Sequence, residues 1–263
     1  MGNRVPGSLL AATALLVFPA ALAGQTTGKP SKASAIPAIP RTADGKPSLV
    51  GGWIRKNRSS VPSKMFTAEA LPMQPWAAEK CKAIACGTDE RGGPPDQTVD
   101  PVITRCAPPG FPRILQNAEP MEIFQIAGRM FMRFEHPAGM REIWTDGRGH
   151  PKDVDPSWYG HSIGKWDGDV FVIDTVGLND YTWLDRAGHP HSDALHVVER
   201  IRRVDYNVLR FDLTFDDPKA YTRPFTGQVE FSFRPRMELR EVIECEDRML
   251  AERPEDAFPF YIK

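Results

Sequence analysis

Gly164-Lys165-Trp166-Asp167-Gly168-Asp169-Val170-Phe171-Val172-Ile173-Asp174 decides how this chain is read. Asp167-Gly168 stands between two apolar runs. That pattern marks a type I′ hairpin, because both central residues of such a turn must tolerate positive φ. Short strand-like runs extend from it in both directions. Upstream, Ile123 to Ile126 and Met130 to Glu135 flank a turn at Ala127-Gly128, and Met140 to Thr145 follows Pro137-Ala138-Gly139. Downstream, Leu209, Phe211, Leu213 and Phe215 share one face, and Arg210, Asp212 and Thr214 the other. Val229, Phe231 and Phe233 repeat the pattern, as do Leu239, Ile243 and Cys245. Period-two alternation gives one wet and one buried face, as in an antiparallel sheet. The expected fold is mainly β, an antiparallel meander over 122–248 that forms a barrel or a sandwich.

The segment before the meander reads differently. Residues 48–121 are irregular and Pro-rich, and they hold one short helix, Pro75 to Ala83. Pro75 suits the first helical position, and the Ala, Glu and Lys that follow favour helix. Leu49 to Ile54 reads as a first strand, so order is expected to begin there in a single β-rich domain over 48–263. Residues 24–47 are rich in Thr, Ser, Lys, Ala and Pro with no apolar period, as in a disordered linker. Arg4, the apolar run Leu9 to Leu22 and the small residues of Ala21-Leu22-Ala23 form a secretory signal peptide over 1–23. The run is too short for a membrane span and breaks at Pro19. The mature chain is therefore expected outside the cytoplasm, periplasmic or extracellular.

Composition narrows the partners. Lys and Arg total 33 against 34 Asp and Glu, so nothing attracts a nucleic acid or an anionic membrane in bulk. The sequence does not specify an oligomeric state. Four cysteines, Cys81, Cys86, Cys106 and Cys245, suit two disulfides in an exported protein. Three pairings exist, and Cys81–Cys86 with Cys106–Cys245 is favoured. No paired C-x-x-C spacing, Walker loop or dinucleotide fingerprint is present, so neither metal nor organic cofactor is expected.

Several segments carry a resemblance. Asp44 to Trp53, Gly164 to Asp169, Trp183 to His196 and Asp217 to Thr222 resemble segments of a large group of uncharacterised exported proteins of soil bacteria. The similarity covers residues 41 to about 248 and implies no particular activity. Gly51-Gly52-Trp53 also resembles the Gly-x-Trp of the calycins, the lipocalin-like barrels. That resemblance implies a closed antiparallel barrel holding a small apolar or aromatic molecule in its mouth. The Pro-rich stretch before Glu122 departs from a plain lipocalin.

Candidate chemistry concentrates between residues 179 and 200, where three of the six histidines fall. Imidazole transfers protons near neutral pH, and a carboxylate can orient it. Asp185, His189, His191 and His196 are the candidates there. A loop of Asp, Gly, Pro and His is also what an ordered turn requires. Glu199 shares the inward row of a strand with Leu195, Val197 and Ile201, so it needs a partner or a raised pKa. Glu241 has the same position between Leu239 and Ile243. Arg113 could clamp a carboxylate or carbonyl. Trp158, Tyr159, His161, Asn179, Tyr181 and Trp183 could line a ligand pocket, although aromatics at strand ends also simply pack. Gly160-His161-Ser162-Ile163-Gly164 has the letters of a nucleophile elbow, but it lies between β-segments with no helix after it.

Two functions fit. One is an exported lyase, isomerase or hydrolase acting on a small apolar or aromatic molecule by metal-independent proton transfer. Asp185, His191 and Glu199 would then converge on one pocket, with Arg113 and Trp183 positioning the substrate. The other is a non-catalytic lipocalin-like binder, with an apolar lumen and histidines scattered on its rim.

Overall fold

A computed structural model describes residues 37–56, 65–66, 70–87, 97–135 and 139–240. The signal segment, most of the linker, Cys245 and Glu241 lie outside these. Among the described residues, nine strands form a closed barrel in chain order: β1 (Gly51–Arg55), β2 (Met121–Ile126), β3 (Arg129–Phe134), β4 (Gly139–Trp144), β5 (His161–Asp167), β6 (Val170–Val176), β7 (His196–Asp205), β8 (Val208–Asp216) and β9 (Phe225–Phe233). β9 pairs with β1 and closes the ring, which leaves no sheet edge open. Barrel, rather than sandwich, is the outcome.

One ladder departs from the expected meander. β4 and β5 run parallel, with Ile143 opposite Ser162 and Trp144 opposite Ile163. Parallel neighbours cannot be joined by a tight turn and need a long crossover. Residues 145–160 provide it. This crossover passes along the outer face of β4 and β5, and it carries much of the candidate site described below.

The β5–β6 turn also differs from expectation. Asp167 pairs with Val170, so the central residues are Gly168 and Asp169. Gly168 has φ +59°, and Asp169 is not among the positive-φ residues. A glycine first and an ordinary residue second is the type II′ pattern, not I′. The turn is held from outside: Arg41 contacts Asp169 at 2.7 and 3.0 Å, and Lys46 Nζ donates to the Gly168 carbonyl at 3.0 Å. Residues 40–48 are thus an ordered turn, with Ser48 N–H donating to Pro40 O, and not part of a linker.

Alternation sets the inside. β6, β7 and β8 bury every second residue, including Phe171, Ile173, Val197, Ile201, Leu209 and Phe211. These join the inward rows of the other strands in one continuous core. Trp53 is fully buried, its indole N–H donates to Leu49 O at 2.9 Å, and the Arg203 guanidinium lies 5.0 Å from its ring. Gly51, at φ +126°, passes under Phe233, where a Cβ would sit 2.6 Å from the ring. The Pro-rich segment contributes to the core as well: Phe111, Ile114 and Leu115 are buried in it.

The helix α1 spans Pro75–Ala83 as expected and buries Ala77 and Cys81; a second, short helix, α2, spans Pro101–Thr104. Cys81 and Cys86 form a disulfide, and Cys106 is disulfide-bonded too. The expected last strand over Leu239 to Cys245 lies mostly outside the described residues. Leu239 lies in irregular chain after β9, and Ile243 and Cys245 fall outside the described residues. Among the described residues, no helix is long and apolar enough to cross a membrane.

Candidate functional site

Glu199 faces inward on β7, as its row requires, and its partner is Arg141 on β4. Both are almost fully buried. Arg141 Nη1 donates to Glu199 Oε1 at 3.1 Å, and Nη2 contacts Oε2 at 2.5 Å. Ser162 Oγ accepts from Arg141 Nε at 3.2 Å, and Thr175 Oγ1 from Nη2 at 2.7 Å. The Phe111 ring lies 3.8 Å from the guanidinium carbon. This network holds both carboxylate oxygens, so Glu199 is a structural ion pair and not an available acid or base. Ser162 belongs to the same network, inside a regular strand, which agrees with discounting the nucleophile-elbow letters.

The 183–196 loop is organised in the same self-satisfied way. Asp185 accepts from the backbone N–H groups of Ala187 and His189 and from His189 Nδ1, at 3.1, 3.0 and 2.8 Å. His191 is buried, and its Nδ1–H donates to the Ser192 carbonyl at 3.1 Å. Burial pushes the His191 pKa down; the Ser192 carbonyl, Asp217 and Asp180 offset this in part. Ser192 donates from N and Oγ to Asp217, and Tyr221 donates to Pro190 O. Among the described residues, no hydrogen bond joins any two of Asp185, His191 and Glu199. They do not form the single acid–base group that the sequence suggested, because each answers a local need of turn or core.

Arg113 is likewise committed. It meets buried Asp100 through two contacts, 2.9 and 2.5 Å, and lies over the buried Trp183 ring at 5.1 Å. It braces the fold instead of clamping a ligand. Asn179 accepts from Tyr181 N–H at 3.4 Å within a turn, and exposed Tyr181 meets Trp158 edge-on. Of the expected ligand residues, Tyr159 and His161 do line a cleft.

That cleft lies outside the barrel. It encloses about 490 Å³ between the outer face of β4, the crossover and the start of β5. Met140, Glu142, Trp144, Val154, Tyr159 and His161 are among its walls. Trp144 is approached by two guanidinium groups, Arg148 at 3.5 Å and Arg129 at 4.1 Å from its ring centre. Arg129 Nη1 also stands 2.9 Å from Glu142 Oε1; this is close enough for an ion pair, but its direction leaves that oxygen without a hydrogen bond.

Beside the cleft, three histidines and a carboxylate meet. Asp174 is on the outward row of β6, between Ile163 of β5 and Val198 of β7. His161 opens β5, His196 opens β7, and His150 arrives from the crossover. His196 Nε2 lies 2.7 Å and His150 Nε2 3.2 Å from Asp174 Oδ1, and the Nδ1 atoms of His150 and His161 are 2.7 Å apart. The ionised carboxylate only accepts, so His150 holds its proton on Nε2. With His150 in its neutral form, its Nδ1 accepts from His161 Nδ1–H, and the His161 tautomer that makes this bond has an unprotonated Nε2. Burial holds the His161 pKa below the usual range, His150 and Arg148 add to this, and Glu142 opposes it. Burial raises the neighbouring Tyr159 hydroxyl to about 12, so it remains a donor.

The sequence reading named His161 and His196 but missed Asp174 and His150. Asp174 had a signal, since alternation places it on the wet face between two β-branched residues. His150 had none, because only the crossover brings it near β5. The chain matches no protein-family model, no curated protein and no solved structure.

Proposed function

We infer that this chain is an exported enzyme that moves a proton on a small apolar or aromatic molecule held in the outer cleft, in the manner of a lyase, isomerase or hydrolase. The observation that carries this reading is the hydrogen-bonded series Asp174–His150–His161, which ends at the cleft wall. His161 Nε2 is the general base. When it takes a proton, the positive charge is shared with His150 and balanced by Asp174, as a carboxylate balances an imidazolium in other acid–base sites. Tyr159 offers a hydroxyl hydrogen bond to developing negative charge on the substrate. Trp144, braced by Arg129 and Arg148, supplies a flat apolar wall. Export rests on the N-terminal sequence, and the Cys81–Cys86 disulfide is consistent with it.

The test is turnover against a panel of small aromatic esters, hydroxy acids and enolisable ketones, with wild type and His161→Gln in parallel. Loss of the base is expected to slow the active substrate by about 10²–10⁴-fold. An active substrate turned over equally by His161→Gln removes the reading. The aromatic cleft wall also favours a second reading, a non-catalytic binder. Saturable binding that requires Trp144, with no turnover of any panel member, would select it.

A further inference from the structure

A second group shares no residue with the cleft. Cys81 ends the buried face of α1, Cys86 follows it in the next turn, and His189 comes from the 183–196 loop. Among the described residues, the ligand atoms of Cys81, Cys86 and His189 all lie within 4.8 Å of one another. The two segments are tied by Gly87 N–H donating to Ala187 O at 2.9 Å. Gly87 has φ +66°, and a Cβ there would sit 3.1 Å from His189 Nε2, so the site needs glycine for both conformation and space. The Phe66 ring meets the imidazole edge-on at 5.7 Å.

The imidazole is oriented for ligation. Its Nδ1–H donates to buried Asp185 at 2.8 Å, which fixes the tautomer and leaves the Nε2 lone pair on the cysteine side. A carboxylate bonded to the far nitrogen is the usual support of a metal-bound histidine, and it raises the ligand's basicity. A disulfide that only staples a loop has no use for such a lone pair.

We propose that Cys81–Cys86 is a reversible disulfide whose reduced form, with His189, is a Cys₂His site for zinc or another thiophilic ion. A thiol reductant supplies two electrons and two protons; the S–S bond breaks, both cysteines become thiols, and the reductant leaves as its own disulfide. Zinc(II) then displaces the two thiol protons to solvent and accepts the His189 Nε2 lone pair. Thiolate and imidazole together suit zinc, and three protein ligands leave a fourth position for water or another donor. The oxidised form cannot supply the thiolates, so metal binding reports the redox state. This departs from the expectation of no metal, which rested on sequence spacing and could not bring His189 to the cysteines.

The test uses the full folded chain with cobalt(II) alone as the probe. Oxidised protein, and protein reduced by a phosphine and freed of it, are titrated while thiolate-to-cobalt absorption and circular dichroism are recorded. The proposal expects one cobalt per reduced chain and none on the oxidised chain. It expects loss of the site in His189→Gln and a 10–100-fold weaker site in Asp185→Asn, which keeps the backbone-accepting oxygen. Unchanged binding in His189→Gln overturns it, as does absence of binding by a folded reduced chain. A disulfide that resists reduction until the chain unfolds overturns it too.

Discussion

His191 is buried without a carboxylate hydrogen bond, and the fold depresses its pKa. A histidine whose folded pKa lies below its unfolded value takes up a proton on unfolding. Its contribution to stability is complete above the unfolded value of about 6.5 and is lost as pH falls towards the folded pKa. Denaturation midpoints are therefore expected to drop from neutral pH into the mildly acidic range, and less so in His191→Asn, where the amide replaces the Nδ1 donor. An equal drop in both proteins would place the titrating group elsewhere. The activity proposed at His161 should have the same sign: a neutral base is expected to work at neutral pH, with the rate falling on the acid side as it becomes protonated. Glu199→Gln should destabilise by roughly 3–5 kcal/mol in urea denaturation, since it leaves Arg141 charged and unpaired in the core. Replacing both by apolar residues should recover most of that loss. Glu199 was legible because a charged residue broke an apolar row. Arg141 stands in phase with Ile143 in the same way, so the partner was legible too, had both rows been compared.

At the scale of elements, alternation and glycine position did most of the specifying. β6, β7 and β8 follow the sequence pattern residue by residue, and α1 begins at Pro75 and ends at Ala83. The crossover was not legible, because nothing in residues 145–160 distinguishes a loop that leads to an antiparallel neighbour from one that returns beside a parallel one. Yet that choice brings His150 to His161. Gly164 illustrates close packing within β5: a Cβ there would fall 2.5 Å from Phe171 Cζ and 2.9 Å from Ile143 Cγ2. Gly164→Ala should cost about 1–3 kcal/mol through overpacking, read from the shift in denaturation midpoint at constant slope. A neutral result would show that Phe171 can move aside.

For the whole molecule, barrel and sandwich gave the same strand pattern. What separates them is the β1–β9 ladder, whose partners are far apart in the sequence. Closure turns the inward rows into a core of interlocked side chains, crossed by the Arg141–Glu199 ion pair. Among the described residues, the inward rows pack against one another in one continuous core. The proposed chemistry falls in the outer cleft, where the crossover lies over β4 and β5. That placement is the central claim, and soaking crystals in a library of small aromatic compounds tests it most directly. The account predicts that compounds settle between Trp144, Tyr159 and His161, with a polar atom against His161 Nε2. Compounds that instead enter the barrel and displace the side chains around Phe211 and Glu199 would contradict it and restore the lumen as the binding site.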